Sequence, residues 1–339
     1  MRLPWGFWTF SHGIHTIRVL VWQGTLVFRV GLAGELYNLR SLNKVQDKVM
    51  AEISAKDVMA LRVQTNAGLM DAKKALQEAN GNMAAAVELL RKWGAGKAES
   101  KMANEMKEGL VAGKISPDGS LGVLLRLGCQ TDFVARNDGF QKLLHNLVEL
   151  TFSNSVTTPA QLGELTYPDG SGRNVSTVIK ELVGGAIKEN MAVTGLARFH
   201  TTTGQVGMYI HHNSKVGTLV QVDGARGDAV GALLGEIAMH VTAGMPVVPM
   251  AISRDKVDAA IVAREKATAA ESITGKPANI VEKIVSGRLD KFFADNVLLE
   301  QPFVKDEKKR ISDLLKETGK AAGSEVTITE FARFKVGEI

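Results

Sequence analysis

The spacing of apolar residues predicts three short helices near the start of the chain. Ser54-Ala-Lys-Asp57 resembles a capping box at the beginning of the first helix. Asn66-Ala-Gly68 interrupts the pattern, and Asn80-Gly81-Asn82 ends the second helix and caps the third. Within each segment, apolar residues recur at helical spacing: Val58, Leu61, Leu69, Ala72, Leu76, Met83, Val87 and Leu90. Helices this short and this close together predict a small helical bundle.

The periodicity then changes to the alternation that is typical of strands. Residues 109–116 and 121–127 alternate apolar and polar side chains, and Pro117-Asp118-Gly119 between them predicts a turn. Phe140 and Leu147 mark the apolar face of a helix that follows. We interpret residues 151–173 as a loop, because this segment is rich in Ser, Thr, Gly and Pro.

Residues 175–187 give a strongly apolar helix face. After this helix, a similar order of elements recurs in the second half of the chain. Residues 194–200, 205–211 and 216–222 then predict an antiparallel meander, which is followed by a helix over residues 229–243. Two units of like design, each a small sheet with a helix, indicate a pseudo-repeat.

A helical hairpin is inserted after these two units. It is predicted over residues 254–272 and 278–293, and residues 325–336 return to strand. The predicted fold class is α+β, with an N-terminal three-helix module similar to ubiquitin-associated (UBA-like) modules, then two sheet-plus-helix subdomains with the inserted helical hairpin. The predicted domains are a leader at 1–52, the three-helix module at 53–94, a linker at 95–106, a core N-subdomain at 107–193, and a core C-subdomain at 194–339 with the hairpin at about 253–298.

Length and composition are those of a soluble protein with real cores. The chain has 339 residues and a mass of 36.5 kDa, which predicts two or three folded units. Hydrophobic residues make up 45% and charged residues 23%, which excludes a disordered chain, a collagen-like fibre and a polytopic membrane protein. The single cysteine, Cys129, excludes an intramolecular disulfide and a cysteine-based zinc cluster.

The net charge of +5 gives little support to nucleic-acid binding once it is divided by region. Residues 1–52 hold six basic and three acidic side chains, a surplus of three, which leaves the rest of the chain at +2. Binding to a phosphate backbone requires a concentrated basic face, which we do not find. We therefore expect no direct contact with nucleic acid. An RNA- or ribosome-associated binding protein is the alternative, supported by the pI of about 9.1 alone.

The start of the chain is typical of an organellar transit peptide. The first 34 residues contain three arginines, no Asp or Glu, and three of the four tryptophans. A membrane anchor is the rival interpretation, but the uncharged run over residues 19–28 is too short to span a bilayer. We expect the mitochondrial matrix as the location, no membrane association, and a plastid leader or a cytosolic extension as alternatives.

No catalytic constellation is present in the sequence. The chain lacks the Gly-x4-Gly-Lys-Ser/Thr loop, the His-Glu-x-x-His pair and the Gly-x-Ser-x-Gly elbow. His211-His212 is the one candidate for a metal, and adjacent residues of a strand point to opposite faces. We predict that the protein is not an enzyme and has no metal site and no cofactor.

Six motifs in order resemble the elongation factor Ts family. Leu61-Arg-Val-Gln-Thr-Asn-Ala-Gly-Leu-Met-Asp-Ala-Lys-Lys-Ala-Leu76 and the following Glu78-Ala-Asn-Gly-Asn-Met83 resemble its N-terminal module. Cys129-Gln-Thr-Asp-Phe-Val-Ala135 is similar to its core signature. The remaining motifs follow in the order of the family: Ile237-Ala-Met-His-Val241, Gly275-Lys-Pro277, Gln301-Pro-Phe-Val304 and Arg333-Phe-Lys-Val-Gly-Glu338. The resemblance covers residues 53–338 and, with the leader, indicates a mitochondrial member.

This resemblance implies a guanine nucleotide exchange factor for elongation factor Tu in translation elongation. Such proteins bind the GDP-bound form of elongation factor Tu, expel GDP, and hold the nucleotide-free form until GTP replaces them. In the family, the segment that matches Thr131, Asp132, Phe133 and Val134 enters the GTPase domain and disturbs its Mg²⁺ site. Phe133 is then the wedge, and Asp132 engages polar groups of the partner. From the residues alone, the same segment is a strand-to-helix turn with Thr131 or Asp132 as N-cap, and Phe133 could equally be core packing.

The resemblance also implies contacts outside this loop. Arg62, Leu69 and Met70 match positions of the N-terminal module that touch the GTPase domain, although Leu69 and Met70 could equally be bundle core. Tyr209-Ile-His211 matches a strand that contacts another domain of the partner, which makes His211 a candidate contact. His240 lies on an apolar helix face, where a core histidine is the commoner role.

Three questions stay open at this point. The inserted hairpin is a dimerisation or protruding element in relatives, so self-association of this chain is undecided. The chain ends soon after Glu338, where bacterial-type members continue into a short helical module that contacts the partner. We expect this contact to be missing here. A ubiquitin-type binding module is a further alternative, because the three-helix bundle has that general appearance.

Overall fold

A computed structural model describes residues 6–12, 15–22, 25–30, 37–38, 53–65, 67–271 and 277–338. These residues form two compact units, the first ending at Gly96 and the second beginning at Lys97. Helices and strands are mixed, as the predicted α+β class requires. Within the described ranges, no helix is both long and apolar enough to cross a membrane.

Four strands lie in the segment predicted as a leader. They are β1 (Gly6–His12), β2 (His15–Trp22), β3 (Thr25–Val30) and β4 (Tyr37–Asn38). The strands follow one another as an antiparallel meander in the order β1-β2-β3-β4. Val, Ile, Thr, Phe and Trp dominate these segments and favour strands. The acid-free, arginine-containing first 34 residues of this region predict a targeting signal and no strands, and residues 39–52 lie outside the described residues.

The three predicted helices are α1 (Ala55–Thr65), α2 (Leu69–Glu78) and α3 (Met83–Met102). The Ser54 hydroxyl accepts a hydrogen bond from the backbone N–H of Asp57 at 3.1 Å, which confirms the predicted cap of α1. The Asn82 side chain caps α3 in the same way, accepting from the N–H of Ala85 at 3.1 Å. The bundle core consists of small and aliphatic side chains: Val58, Leu61, Ala72, Ala75, Leu76 and Ala86.

The third helix is longer than the sequence analysis predicts. α3 continues to Met102 and covers most of residues 95–106, the segment predicted as a linker. Ala, Lys, Glu and Met favour helix and outweigh the two weak positions at Gly94 and Gly96. The side chain of Ala98 is buried in the core of the second unit.

The first sheet of the second unit contains β5 (Glu108–Ile115), β6 (Leu121–Cys129) and β7 (Met191–His200) in the order β5-β6-β7. Four helices lie between β6 and β7: α4 (Asp132–Ala135), α5 (Asp138–Ser153), α6 (Pro159–Glu164) and α7 (Val175–Gly184). The prediction of a continuous loop over residues 151–173 was wrong. α6 begins there with a capping box between Thr158 and Gln161, a short-range signal that the Gly and Pro content had obscured.

The second sheet contains β8 (Gly204–Ile210), β9 (Val216–Asp223) and β12 (Thr327–Lys335) in the order β12-β9-β8. The predicted meander was therefore wrong in its first strand, since β7 pairs with β6 and not with β8. The boundary predicted between residues 193 and 194 falls inside β7. Alternation identifies a strand but does not identify the strand with which it pairs.

The remaining elements surround the second sheet. α8 (Asp228–Ala243) packs on β8 and β9, and the hairpin consists of α9 (Ala259–Glu271) and α10 (Ala278–Asn296). The hairpin begins later than predicted because Arg254–Lys256 forms a separate 3₁₀ turn; a second 3₁₀ turn is Leu298–Glu300, and residues 272–276 lie outside the described residues. Three further elements are not predicted from the sequence: β10 (Pro302–Phe303), β11 (Asp306–Arg310) and α11 (Ile311–Ala322).

The two sheets of the second unit share an apolar cluster. It is formed by Val111, Leu124, Ala197, Phe199, Val206 and Leu219. Gly122 allows this close approach, because a Cβ atom there would lie 2.6 Å from Cγ1 of Val206. The sheets therefore form one packed body with a common interior.

His240 is a satisfied core histidine. Its side chain is fully buried, and Nδ1 accepts a hydrogen bond from the N–H of Val304 at 3.2 Å. Nε2 lies 2.9 Å from Oε1 of Gln301, to which it donates, because Nδ1 is already used as an acceptor. Burial lowers the pKa of His240 and so favours this neutral form.

We expect the chain to lose stability as the pH falls below about 6.5, the ordinary pKa of histidine. The unfolded state binds a proton at His240 more readily than the folded state, so acid favours unfolding by up to about 1.4 kcal/mol per pH unit. Denaturant unfolding at pH 7.5 and 5.5 measures this loss, with His240→Gln as the control that cannot titrate. Equal losses of unfolding free energy in the wild type and His240→Gln would show that His240 does not cause the pH dependence.

Candidate functional site

Phe133 is a large apolar side chain that is 80% exposed. It lies in α4, a single turn that follows directly after β6. The next two residues, Val134 and Ala135, are buried in the core beside the first sheet of the second unit. Exposing a Phe forfeits roughly 1.5–3 kcal/mol of burial free energy, so this position is suited to contact with another molecule.

The turn is held by Thr131 at its N-terminus. The Thr131 hydroxyl oxygen accepts from the N–H of Val134 at 3.4 Å and donates to Oε2 of Glu189 at 2.9 Å. Of the two predicted N-cap candidates, Thr131 is therefore the cap. The Asp132 carboxylate forms an ion pair with the Arg136 guanidinium at 2.9 Å on the exposed side of the turn.

The four residues predicted as the contact segment thus divide into different roles. Phe133 is exposed, Asp132 is partly exposed, and Thr131 supports the turn from within. Val134 is only 7% exposed and packs in the core, so the structure does not place it for a direct contact. The sequence pattern did not reveal which side chains of this turn are buried.

Cys129 precedes this turn and has a structural role. It is buried at the end of β6, and its thiol donates to the Thr131 carbonyl at 3.2 Å. Burial raises the pKa of the Cys129 thiol to about 11. The thiol is therefore protonated at neutral pH and is no nucleophile.

A second set of exposed apolar side chains lies in the first unit. Leu69 is 48% and Met70 is 74% exposed at the start of α2, so they are not bundle core. Arg62 is exposed on α1, where the sequence analysis had overlooked Met59 and Val63, 47% and 78% exposed. Their spacing of four residues places them on one side of the helix, the signal that could have identified them.

His211 lies just beyond β8, which ends at Ile210. Its Nδ1 atom is 3.3 Å from the Tyr209 hydroxyl, and its ring centroid is 4.2 Å from that of His212. The expectation that the two histidines point to opposite faces of a strand was wrong, because both belong to the turn. Across the part of the chain that the structure describes, no cluster of three or more His, Cys, Asp or Glu could hold a metal.

Comparison with known proteins agrees with the motifs around this site. The sequence profile described as "Elongation factor TS" matches residues 130–338, which include the whole turn. Elongation factor Ts of Prosthecochloris aestuarii is 38% identical over 291 residues, covering 85% of this chain and 100% of that protein. The chain belongs to the elongation factor Ts family. Among other members of the elongation factor Ts family, the protein of Magnetococcus marinus is 39% identical over 84% of this chain and 93% of its own length. That of Hyphomonas neptunium is 40% identical over 85% and 93%.

Proposed function

We propose that this member of the family is a guanine nucleotide exchange factor for elongation factor Tu, and that Phe133 promotes GDP release by entering the partner's GTPase domain beside its Mg²⁺ site. The observation that supports this role is the exposure of Phe133 on a turn whose next two residues, Val134 and Ala135, are buried. A rigidly held apolar side chain can displace structure in a partner with little ordering of its own. Mg²⁺ requires near-ideal octahedral geometry, so a small displacement of its ligands weakens the bound nucleotide.

Asp132 supports the same contact through polar interactions. Its carboxylate is held by Arg136 at 2.9 Å in an exposed ion pair. Such exposed pairs contribute little stability, so exchanging Arg136 for polar groups of the partner costs little. Asp132 thereby helps to keep Phe133 inserted.

Phe133 needs a wider interface to act. A thousandfold faster release of GDP requires the activation barrier to be lowered by about 4 kcal/mol. This exceeds the roughly 1.5–3 kcal/mol gained by burying one Phe. The UBA-like three-helix module supplies further contacts through Arg62, Leu69 and Met70, and His211 of the second unit supplies a contact to another domain of the partner. Leu69 and Met70 are exposed in the free chain, so their burial is available for binding.

We expect the double substitution Leu69→Ala and Met70→Ala to raise the half-saturating concentration of the factor about tenfold. The maximal release rate changes little, because these residues contribute binding and do not reach the nucleotide. Titration of the release rate against factor concentration measures both quantities. Lys92→Ala on α3 is the control, since that side chain is exposed in the same module. A fall in the maximal rate with unchanged half-saturation would contradict this division of roles.

Binding of factor and nucleotide to elongation factor Tu is reciprocal. Because the factor weakens nucleotide binding, nucleotide weakens binding of the factor by the same ratio. The factor therefore binds both the GDP-bound and the nucleotide-free partner, and either GDP or GTP with Mg²⁺ dissociates the complex.

Release of fluorescent GDP from elongation factor Tu, followed by stopped flow, tests the proposed function. The full chain is mixed with the loaded partner in the presence of excess unlabelled nucleotide. We expect a large acceleration by the wild type and a smaller one by Asp132→Ala. A folded chain that leaves the release rate unchanged would sink the proposal.

We also propose that the protein acts in mitochondria. The support is the leader at residues 1–52, which begins with 34 residues that contain no Asp or Glu and three arginines. The full chain carrying a C-terminal fluorescent tag should localise to mitochondria in eukaryotic cells, and removal of residues 1–52 should abolish this. Mitochondrial localisation without the leader would contradict the proposal.

A further inference from the structure

Asn190 is a buried polar residue beside the turn that carries Phe133. It is 3% exposed and precedes β7. Its side-chain amide donates to two backbone carbonyls, Met102 at 3.0 Å and Asn104 at 2.7 Å. Both donors of one buried amide are thus used to hold the chain that leaves α3.

The backbone N–H of Asn190 makes a third hydrogen bond, which goes to Gln130. Residues 130 and 131 lead from β6 into the turn and are called its stem. The Asn190 N–H donates to Oε1 of Gln130 at 2.6 Å. Gln130 is the residue between β6 and the N-cap Thr131. The preceding residue, Glu189, accepts from the Thr131 hydroxyl at 2.9 Å. Two successive residues of one segment therefore hold two successive residues of the stem.

The turn depends on these bonds for its direction. α4 has only four residues, and a single helical turn is not stable by its own hydrogen bonds. The buried side chains of Val134 and Ala135 fix the far end of the turn. The bonds of Gln130 and Thr131 to residues 189 and 190 fix its near end, so that Phe133 has one defined orientation.

We propose that Gln130 and Asn190 are positioning residues for nucleotide exchange, acting through Phe133 without contact with the nucleotide. This inference rests on the proposed function of Phe133. Asn190 ties the end of α3 to the start of β7, and Gln130 ties the Phe133 turn to the same point. The exposed face of α4 is thereby presented to the partner in a fixed direction.

Substitutions at Gln130 separate this role from a general loss of packing. Gln130→Met keeps the length of the side chain and removes the acceptor, whereas Gln130→Glu keeps an oxygen in the position that the Asn190 N–H uses. We expect Gln130→Met to lower the maximal rate of GDP release about tenfold, with half-saturation changed less than twofold. Gln130→Glu should stay within threefold of wild type. Asn190→Ala keeps the backbone N–H that bonds Gln130 and loses the two side-chain bonds to Met102 and Asn104, so its loss of rate should be smaller than that of Gln130→Met.

The decisive measurement is the same substitution in a Phe133→Ala background. If Gln130 acts through Phe133, Gln130→Met lowers the rate less than twofold once Phe133 is absent. Amide hydrogen exchange of residues 131–136 should also become faster in Gln130→Met. Asn146→Ala is the matched control, because it removes a bond of 2.8 Å to the Tyr167 hydroxyl in the same core and leaves the Phe133 turn intact.

The outcomes distinguish a failure of the proposed role of Phe133 from a failure of the positioning role of Gln130 and Asn190. Release by Phe133→Ala alone at the wild-type rate would contradict the proposed role of Phe133, whereas no acceleration by the wild type would contradict the exchange function itself. A full effect of Phe133→Ala, together with an equal effect of Gln130→Met in both backgrounds, would overturn the positioning role. Unchanged amide exchange over residues 131–136 in both Gln130→Met and Asn190→Ala would overturn it as well.

Discussion

Phe133→Ala is expected to lower the maximal rate of GDP release from elongation factor Tu by about 10- to 100-fold. Removing the ring forfeits roughly 1.5–3 kcal/mol of apolar burial, and each 1.4 kcal/mol of barrier corresponds to about tenfold in rate. The unfolding free energy of the chain should be unchanged, because the side chain is 80% exposed in the free protein. Stopped-flow release of fluorescent GDP and denaturant unfolding measure the two quantities.

Ile280→Ala is a suitable control for this measurement. Ile280 lies on α10 of the hairpin and is 42% exposed, so the substitution removes an exposed apolar side chain away from the turn. Its release rate should match that of wild type. Equal losses in Ile280→Ala and Phe133→Ala would show that exposed apolar surface in general, and not the Phe133 turn, accelerates release.

Phe140→Ala is expected to have the largest effect on stability, about 3–5 kcal/mol. Phe140 is fully buried in the core beside the first sheet of the second unit, where it packs with Leu143, Leu144 and other residues of α5 and β6. Truncation leaves a cavity in a close-packed interior that relaxes only in part. The shift in the midpoint of urea unfolding, at unchanged slope, measures this loss.

Phe133 and Phe140 are matched controls for each other. They are the same residue type on consecutive helices, one exposed and one buried. We expect Phe133→Ala to affect exchange and spare stability, and Phe140→Ala to affect stability and spare the maximal release rate of the folded fraction. Loss of stability in Phe133→Ala would mean that its ring packs against the chain.

Local signals in the sequence located the starts of several helices but not all of their ends, since α3 continues to Met102. Ser54 and Asn82 were predicted as caps and act as caps, and Thr131 is the cap of the two candidates predicted for α4, because a cap bonds to an N–H within three residues. Pairing of strands was not predictable in the same way. The partner of β7 was assigned wrongly, since alternation is a property of one strand and register is a property of two.

At the site too, features that depend on neighbouring residues were predictable, and features that depend on residues remote in sequence were not. The resemblance located the Phe133 turn, yet Val134 beside it is core, because its burial depends on helices that are remote in sequence. The bond between Gln130 and Asn190 joins segments that are sixty positions apart. No spacing rule indicates such a pair. Leu69 and Met70 were ambiguous for a related reason, since apolar residues at helical spacing are as typical of core as of exposed contacts.

The position of β12 has a consequence for how the protein is synthesised. β9 pairs with β8 along one edge and with β12 along the other, and Asp223 is opposite Thr327. α8, the hairpin and α11 are all translated between these two strands. The first sheet is complete when β7 emerges from the ribosome. In contrast, one edge of β9 keeps unpaired backbone N–H and C=O groups until β12 is synthesised, and these groups can pair with a strand of another chain. We therefore expect nascent chains to depend on chaperones most strongly during the interval between β9 and β12.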